Sequence, residues 1–255
     1  MVGAIEKAGS LPAITAVVRG VPTAGLEPDE LERFLAGDGV RKLSARDIPA
    51  AIAKGSDGAT TVAASLVLSH AAGIGVFVTG GIGGVHRDAP YDESADLVEL
   101  ARTPMLVVCA GAKSILDLEA TWERLETLGV PVIGYQTDEF PGFLCAETGI
   151  GLTDQTDEPA EIVAMYRAQR ALGRPQSVLV VQALPKSDAL ERKVVENASA
   201  RAHQELREHG VHGSAVTPYL LRALTRLTDG RSLTANLVLL ERNATLAAEI
   251  SRLMT

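Results

Sequence analysis

The sequence predicts a three-layer α/β/α sandwich with a largely parallel or mixed central sheet and a helical C-terminal third. Three observations carry this: short unbroken apolar runs alternate with longer amphipathic ones, glycines punctuate the boundaries, and strand-like runs cease after Asp188. A strand covered on both faces reads as a continuous Val/Ile/Leu run, and its alternation with helical stretches is the pattern of βαβ units.

In chain order, Met1–Ala8 reads as the second half of a helix closed by Gly9, with no N-cap residue and no strand ahead of it. Either the domain opens on a truncated helix or the chain lacks an N-terminal piece. Ile14–Val18 (ITAVV) is the first expected buried strand, followed by helices over Asp47–Ala53 and Thr61–Ala72. Gly75–Val78, Met105–Cys109, Val130–Gly134 and Val178–Val181 are the next strands. Asp96–Ala101, Leu116–Leu128 and Pro159–Leu172 are the helices between them. Asp188–Glu208, Pro218–Thr228 and Leu233–Leu253 form a helical layer expected to pack on the same sheet. No repeat, low-complexity tract or Pro/Ser linker interrupts the pattern, so residues 1–255 are expected to form one domain.

Composition excludes several functions. The chain has 255 residues, 46% of them hydrophobic and 22% charged, which is ordinary for a globular protein and not for a disordered one. With 24 Lys+Arg against 32 Asp+Glu the net charge is −8, the wrong sign for broad nucleic-acid binding. A local pocket for a small phosphorylated ligand remains open. Two distant cysteines, Cys109 and Cys145, form neither a C-x-x-C pair nor a disulfide framework, and a reducing cytoplasm is the expected compartment. No run of 18 apolar residues suggests a membrane span, and the first residues have no signal-peptide core.

Four segments carry chemistry. Val78-Thr79-Gly80-Gly81-Ile82-Gly83-Gly84-Val85-His86-Arg87 follows an apolar strand. Glycine this dense permits close backbone approach to a ligand and an anion-binding concavity of consecutive amides. Thr79, His86 and Arg87 add side-chain donors, so a phosphate role is favoured over a plain tight turn; neither a dinucleotide fingerprint nor a P-loop fits. Asp92-Glu93-Ser94-Ala95-Asp96 comes next, and helix capping by Ser94 explains it as well as a divalent cation does. In Val107-Val108-Cys109-Ala110-Gly111-Ala112-Lys113-Ser114 an apolar strand delivers a lysine at its carboxyl end, where open α/β sheets bind ligands. Lys113 is either a snorkelling surface lysine or an imine-forming amine of lowered pKa; the small flanking residues favour the second. Finally, Lys42 and Arg46 form a basic cluster, and Gly58–Thr61 opens a helix whose free amides suit an anion as well as an ordinary cap. His203, His209 and His212 lack metal-ligand spacing and read as solvated, and Ser65, Ser69 and Ser114 lie in no G-x-S-x-G elbow.

GATTVAA, VFVTGGIGGVHR, DESADL, VVCAGAKSILD, RLETLGVPVIGYQTDEFP, TPYLL and SLTANL, in this order, closely resemble the motifs of the pseudouridine-5′-phosphate glycosidase family, also called indigoidine synthase A-like. The resemblance runs through essentially the whole chain. It implies an α/β/α sandwich assembling as a homotrimer and reversible cleavage of the C–C bond between uracil and ribose 5-phosphate. By the same resemblance Lys113 is the nucleophile that forms a Schiff base with the ring-opened sugar, and Asn236 assists catalysis. Lys42, Val62, Ser94, Ala95 and Asp96 match substrate-binding positions, and Asp92 matches a manganese-associated aspartate. Three departures stand out. The family's general-acid glutamate lies in an A-L-E-S-T strand ahead of the first helix, so the chain is expected to lack that strand and a half-helix. The loop after His86 (RDAPYD) is short, and Gln182-Ala183-Leu184-Pro185 replaces N-P-I-P. These departures leave two other readings beside uracil chemistry: C-ribosylation of another aromatic acceptor, and an inactive phosphosugar-binding fragment.

Overall fold

The structure, a computed structural model, describes residues 1–37, 39–87 and 91–254. From the N-terminus, α1 (Val2–Lys7) leads to β1 (Thr15–Val18), β2 (Val21–Ala24), α2 (Pro28–Ala36), β3 (Arg41–Leu43), α3 (Ile48–Ala53), β4 (Gly58–Thr60) and α4 (Val62–Ala71). Then come β5 (Val76–Val78), β6 (Val85–His86), α5 (Ala95–Leu100), β7 (Leu106–Cys109), β8 (Leu116–Asp117) and α6 (Leu118–Thr127). The chain continues through β9 (Val132–Tyr135), β10 (Asp154–Thr156), α7 (Pro159–Ala171) and β11 (Val178–Gln182). It closes with α8 (Arg192–Glu208), α9 (Val216–Leu227) and α10 (Arg231–Met254).

The central sheet has five strands in the order β10-β9-β11-β7-β5, every pair parallel. Its middle strands β7 and β11 are buried at every residue, which is why they read as unbroken apolar runs. Successive side chains point to opposite faces, so one strand feeds two cores. Leu106, Val108 and Val180 pack with Ile162 and Tyr166 of α7 and with Leu246 and Ile250 of α10. Val107, Cys109 and Val181 pack with Leu97 of α5, Leu125 of α6 and Val195 of α8. Helices therefore cover both faces, as the alternation predicts. Among the described residues no helix is long and apolar enough to cross a membrane.

One expected strand belongs elsewhere. Ile14–Val18 supplies β1 of a second sheet, order β2-β1-β4-β3, where it runs antiparallel to β2 and to β4. Its hairpin to β2 turns through Arg19 and Gly20, both with positive φ (48° and 80°), the signature of a two-residue turn matched to strand twist. The partners β2, β3 and β4 evade sequence reading because they are three or four residues long, largely polar or exposed, and contain Pro22 and Gly58. A small separate core of Val17, Leu43, Ile48, Ala51, Ala64 and Leu68 lies under this sheet.

Candidate active site

Past the carboxyl ends of β5 and β7 the two chains continue side by side. The amides of Thr79, Ala110, Ile82 and Lys113 donate to the carbonyls of Val108 (3.0 Å), Gly80 (2.8 Å), Gly111 (3.0 Å) and Ile82 (3.2 Å). This extension lays the Lys113 segment along the glycine loop. The Lys113 Nζ does not reach for bulk water: it donates to the Gly81 carbonyl at 2.7 Å. Burial pushes its pKa below the ordinary lysine range, and Lys42 adds to the effect, while the Asp96 carboxylate and Cys109 oppose it. Burial likewise pushes the neighbouring Cys109 thiol up to about 12, so that sulfur is a packing group and not a thiolate.

The glycine loop is not the open anion cradle that its composition suggests. A Cβ on Gly81 would stand 2.7 Å from Phe143, one on Gly83 2.2 Å from the Ser94 hydroxyl, and one on Gly84 2.3 Å from that of Thr121. On Gly80 it would meet Leu240 at 3.1 Å and Leu239 at 3.2 Å. Three amides are already committed: Ile82 to Gly111, Gly83 to Asp96 Oδ2 (2.8 Å) and Val85 to Thr121 Oγ1 (3.0 Å). Glycine is dense here because neighbouring protein presses against the backbone, a packing demand that composition cannot tell from ligand contact. A phosphate would therefore draw on nearby side chains as well as on the loop amides that remain. His86 and Arg87, both partly buried, emerge at β6, which pairs antiparallel with β8. Arg87 donates through Nε to the Leu116 carbonyl at 3.0 Å and borders a cavity of about 390 Å³ with Ser114, Cys145 and Arg192. Thr79 is partly buried where the Asn243 amide of α10 donates to its carbonyl at 3.0 Å.

The acidic segment divides between two environments. Ser94 caps α5, its hydroxyl accepting from the Asp96 amide at 3.2 Å. Asp96 is buried, and both carboxylate oxygens are occupied: Oδ1 accepts from the Ala63 amide at 2.9 Å and Oδ2 from that of Gly83. Val62, buried, begins α4 directly after the Thr61 cap. Ala95 and Asp92 are exposed, and the Asp92 carbonyl accepts from the His86 amide at 2.9 Å. Glu93 is engaged by Arg124 Nε at 2.8 Å. Among the described residues no three His, Cys, Asp or Glu converge as a metal cluster. Among the described residues a cation at Asp92 would thus find fewer than three such ligands and would keep most of its shell as water, which suits a hard ion. Lys42 sits exposed on β3 opposite Ala59. Asn236, partly buried on α10, precedes Leu240 by four residues and Asn243 by seven. The helical period therefore puts it on the face that lies over the glycine loop.

Two residues of this region escape sequence reading. His203 is buried, not solvated: its Nδ1 lies 2.8 Å from the Ser199 carbonyl, and its Nε2 has no hydrogen-bond partner among the described residues. Burial lowers its pKa, and the nearby Arg87 and His86 lower it further, which outweighs the hydrogen bond to Ser199. The available signal was spacing, since Val195, Ser199, Ala202 and His203 share one buried stripe of α8. Asn243 is the second, an amide buried among the alanines and leucines of the inner face of α10.

A parallel sheet clad by helices on both faces, with an amine held at the carboxyl end of a middle strand, defines an α/β/α enzyme whose ligand side lies at the strand ends. The chain belongs to the family described as indigoidine synthase A like protein, whose profile matches residues 1–253. It is 58% identical, over 98% of its length and 82% of the relative's, to a pseudouridine-5′-phosphate glycosidase of Gemmatimonas aurantiaca. Among solved structures it is similar to the prealnumycin C-glycosynthase AlnA in complex with ribulose 5-phosphate. That pair is 40% identical with a TM-score of 0.92, over 99% of this chain and 84% of the other. An indigoidine synthase A-like protein of Thermotoga maritima aligns with a TM-score of 0.91 at 36% identity, over 98% of this chain and 82% of that one.

Proposed function

We propose that the chain is a C-glycosidase of the pseudouridine-5′-phosphate glycosidase type, which reversibly breaks and forms the C–C bond between uracil and ribose 5-phosphate. The observation that carries this reading is the lysine amine held at Gly81 beneath the strand ends, in a chain 58% identical to such an enzyme. A base leaving from carbon takes an electron pair that an ordinary pair of glycosidase carboxylates cannot accommodate. A neutral amine supplies the alternative. Lys113 Nζ attacks C1′, the C1′–O4′ bond breaks, and O4′ leaves as a protonated hydroxyl. C5 of the pyrimidine then takes up a proton, the nitrogen lone pair forms C=N, and the C1′–C5 bond breaks with its electron pair restoring the ring C5=C6 bond, so that uracil leaves carrying the new proton on C5. Water hydrolyses the resulting imine to ribose 5-phosphate and frees the lysine. Burial favours the neutral amine that this step needs.

In this reading Lys42, Thr79 and His86 meet the phosphosugar, Val62 and the Ser94-Ala95-Asp96 turn line its pocket, and Asn236 lies over the reacting centre. Side chains meet the phosphate together with the loop amides that remain, since those of Gly83 and Val85 are spent on Asp96 and Thr121. Manganese at Asp92 and assembly as a homotrimer are proposed on the family resemblance. Such an ion supplies charge neutralisation beside the ligand, and no step above runs through it. A second reading, transfer of ribose 5-phosphate to another aromatic carbon, is favoured by the C-glycosynthase neighbour and by Gln182. That side chain ends β11 where the family motif has Asn, and its Oε1 is buried without a partner among the described residues.

One experiment tests the core of this. Incubation with ribose 5-phosphate and borohydride, followed by peptide mass spectrometry, should place a reduced pentose phosphate on Lys113. The Lys113→Ala protein should show neither trapping nor turnover at unchanged circular dichroism; labelling that persists in it refutes the assignment. Arms with uracil and with other aromatic acceptors separate the two readings by adduct mass. Indifference to EDTA and added manganese removes the metal from Asp92.

A further inference from the structure

Asp96 is the most constrained carboxylate near the reacting amine. Its residue is 5% exposed, and both oxygens accept from backbone amides. Oδ1 takes the Ala63 amide in the first turn of α4, and Oδ2 takes the Gly83 amide in the glycine loop, at 2.9 and 2.8 Å. One side chain of α5 thus ties together two segments that enter the site from different sheets, α4 following β4 and the loop following β5. Gly83 has no slack to compensate: a Cβ there would already stand 2.8 Å from Asp96 Oδ2. Two residues upstream is Gly81, whose carbonyl receives the Lys113 ammonium.

We propose that Asp96 is a positioning residue: its buried carboxylate staples the glycine loop to the first turn of α4 and so fixes the carbonyl that holds the Lys113 amine. The proposal rests on the reading of Lys113 as the imine-forming amine, and it moves Asp96 from ligand of the substrate to ligand of the backbone. Asparagine at this position cannot do the same work, since its amide group would point a donor at a backbone N–H. Asp96 is also the chief negative charge acting on the ammonium, opposed by Lys42 on β3. Loss of that charge disfavours the ammonium, so the neutral amine should form at lower pH.

The pH dependence of borohydride trapping, measured over a range of ribose 5-phosphate concentrations up to saturation in wild type, Asp96→Asn and Asp96→Glu, tests this. Asp96→Asn is expected to move the rising limb of the profile to lower pH and to lower kcat about tenfold to a hundredfold through misplacement of the amine. Asp96→Glu keeps the charge but alters the reach, so its limb should stay in place while kcat falls. Should Asp96→Asn fail to fold, Asp96→Glu carries the test, and wild-type turnover in it overturns the proposal. An unmoved limb in folded Asp96→Asn overturns it too, as does a defect confined to the sugar-phosphate concentration dependence, the mark of a substrate ligand. Trapping that survives in Lys113→Ala is a separate failure: it removes the amine reading and this inference with it.

Discussion

Lys113 and Gly111 stand two residues apart and show two ways a short sequence can be read. The lysine was legible because VVCAGAKS couples an apolar strand to small residues, and such a strand end faces ligand space in an open α/β sheet. What the letters did not contain is the Gly81 carbonyl under the ammonium, which arrives from 32 residues away. Gly111 is the reverse case, an inconspicuous glycine with a demanding place. Its φ is +77°, and a Cβ would fall 1.8 Å from the Pro141 carbonyl oxygen. Backbone strain and a clash with rigid backbone act together there. Gly111→Ala should cost more than about 3 kcal/mol in urea unfolding; a loss under about 1 kcal/mol would sink this account of the turn. The Gly80–Gly84 run misleads for a related reason. Glycine reports only that something lies close to the backbone, and here the something is Phe143, Ser94 and Thr121.

Among elements, those that bury a continuous apolar face were legible and those that do not were missed. β7 and β11 announce themselves, whereas β2 and β3 expose most of their residues and have no hydrophobic signature. Helix α10 was expected on periodicity, and it runs from Arg231 to Met254. Its coupling to the site depends on one polar residue that periodicity ignores. Asn243 Nδ2 donates to the Thr79 carbonyl at 3.0 Å and lies 3.4 Å from that of Gly80, pinning the helix to the loop. The Gly80 carbonyl keeps the Ala110 amide as a second partner. Asn243→Ala should therefore lower stability by about 2 kcal/mol, the cost of a hole and a buried carbonyl left short of a donor. Asn243→Asp keeps the shape without the donor and should cost at least as much. Wild-type unfolding midpoints in both would show that the helix is held by its leucines alone.

Across the molecule, stability is distributed unevenly. The five-stranded sheet is sandwiched between two large cores, while the four-stranded sheet rests on six buried residues. Local opening follows buried apolar contact. Amides of β1 and β4 should therefore exchange with deuterium at least about tenfold faster than those of β7 and β11. The reverse order would mean that the smaller sheet is the more tightly held layer. That gradient bears on function, because Lys42 lies on β3 of the smaller sheet, while the α4 turn that receives Asp96 straddles the two cores.

By itself the sequence determined the layer order, the parallel central strands, the helical close of the chain and the place of Lys113 at a strand end. Each of these follows from local periodicity and the covering of both sheet faces, which neighbouring letters record. Tertiary structure alone decided that Ile14–Val18 joins a second sheet, that the glycines meet protein, that His203 is buried and that Asp96 spends both oxygens on backbone amides. Those are matters of partnership between segments tens of residues apart, and hydrogen-bond and packing partners at that distance leave no periodic trace in the chain.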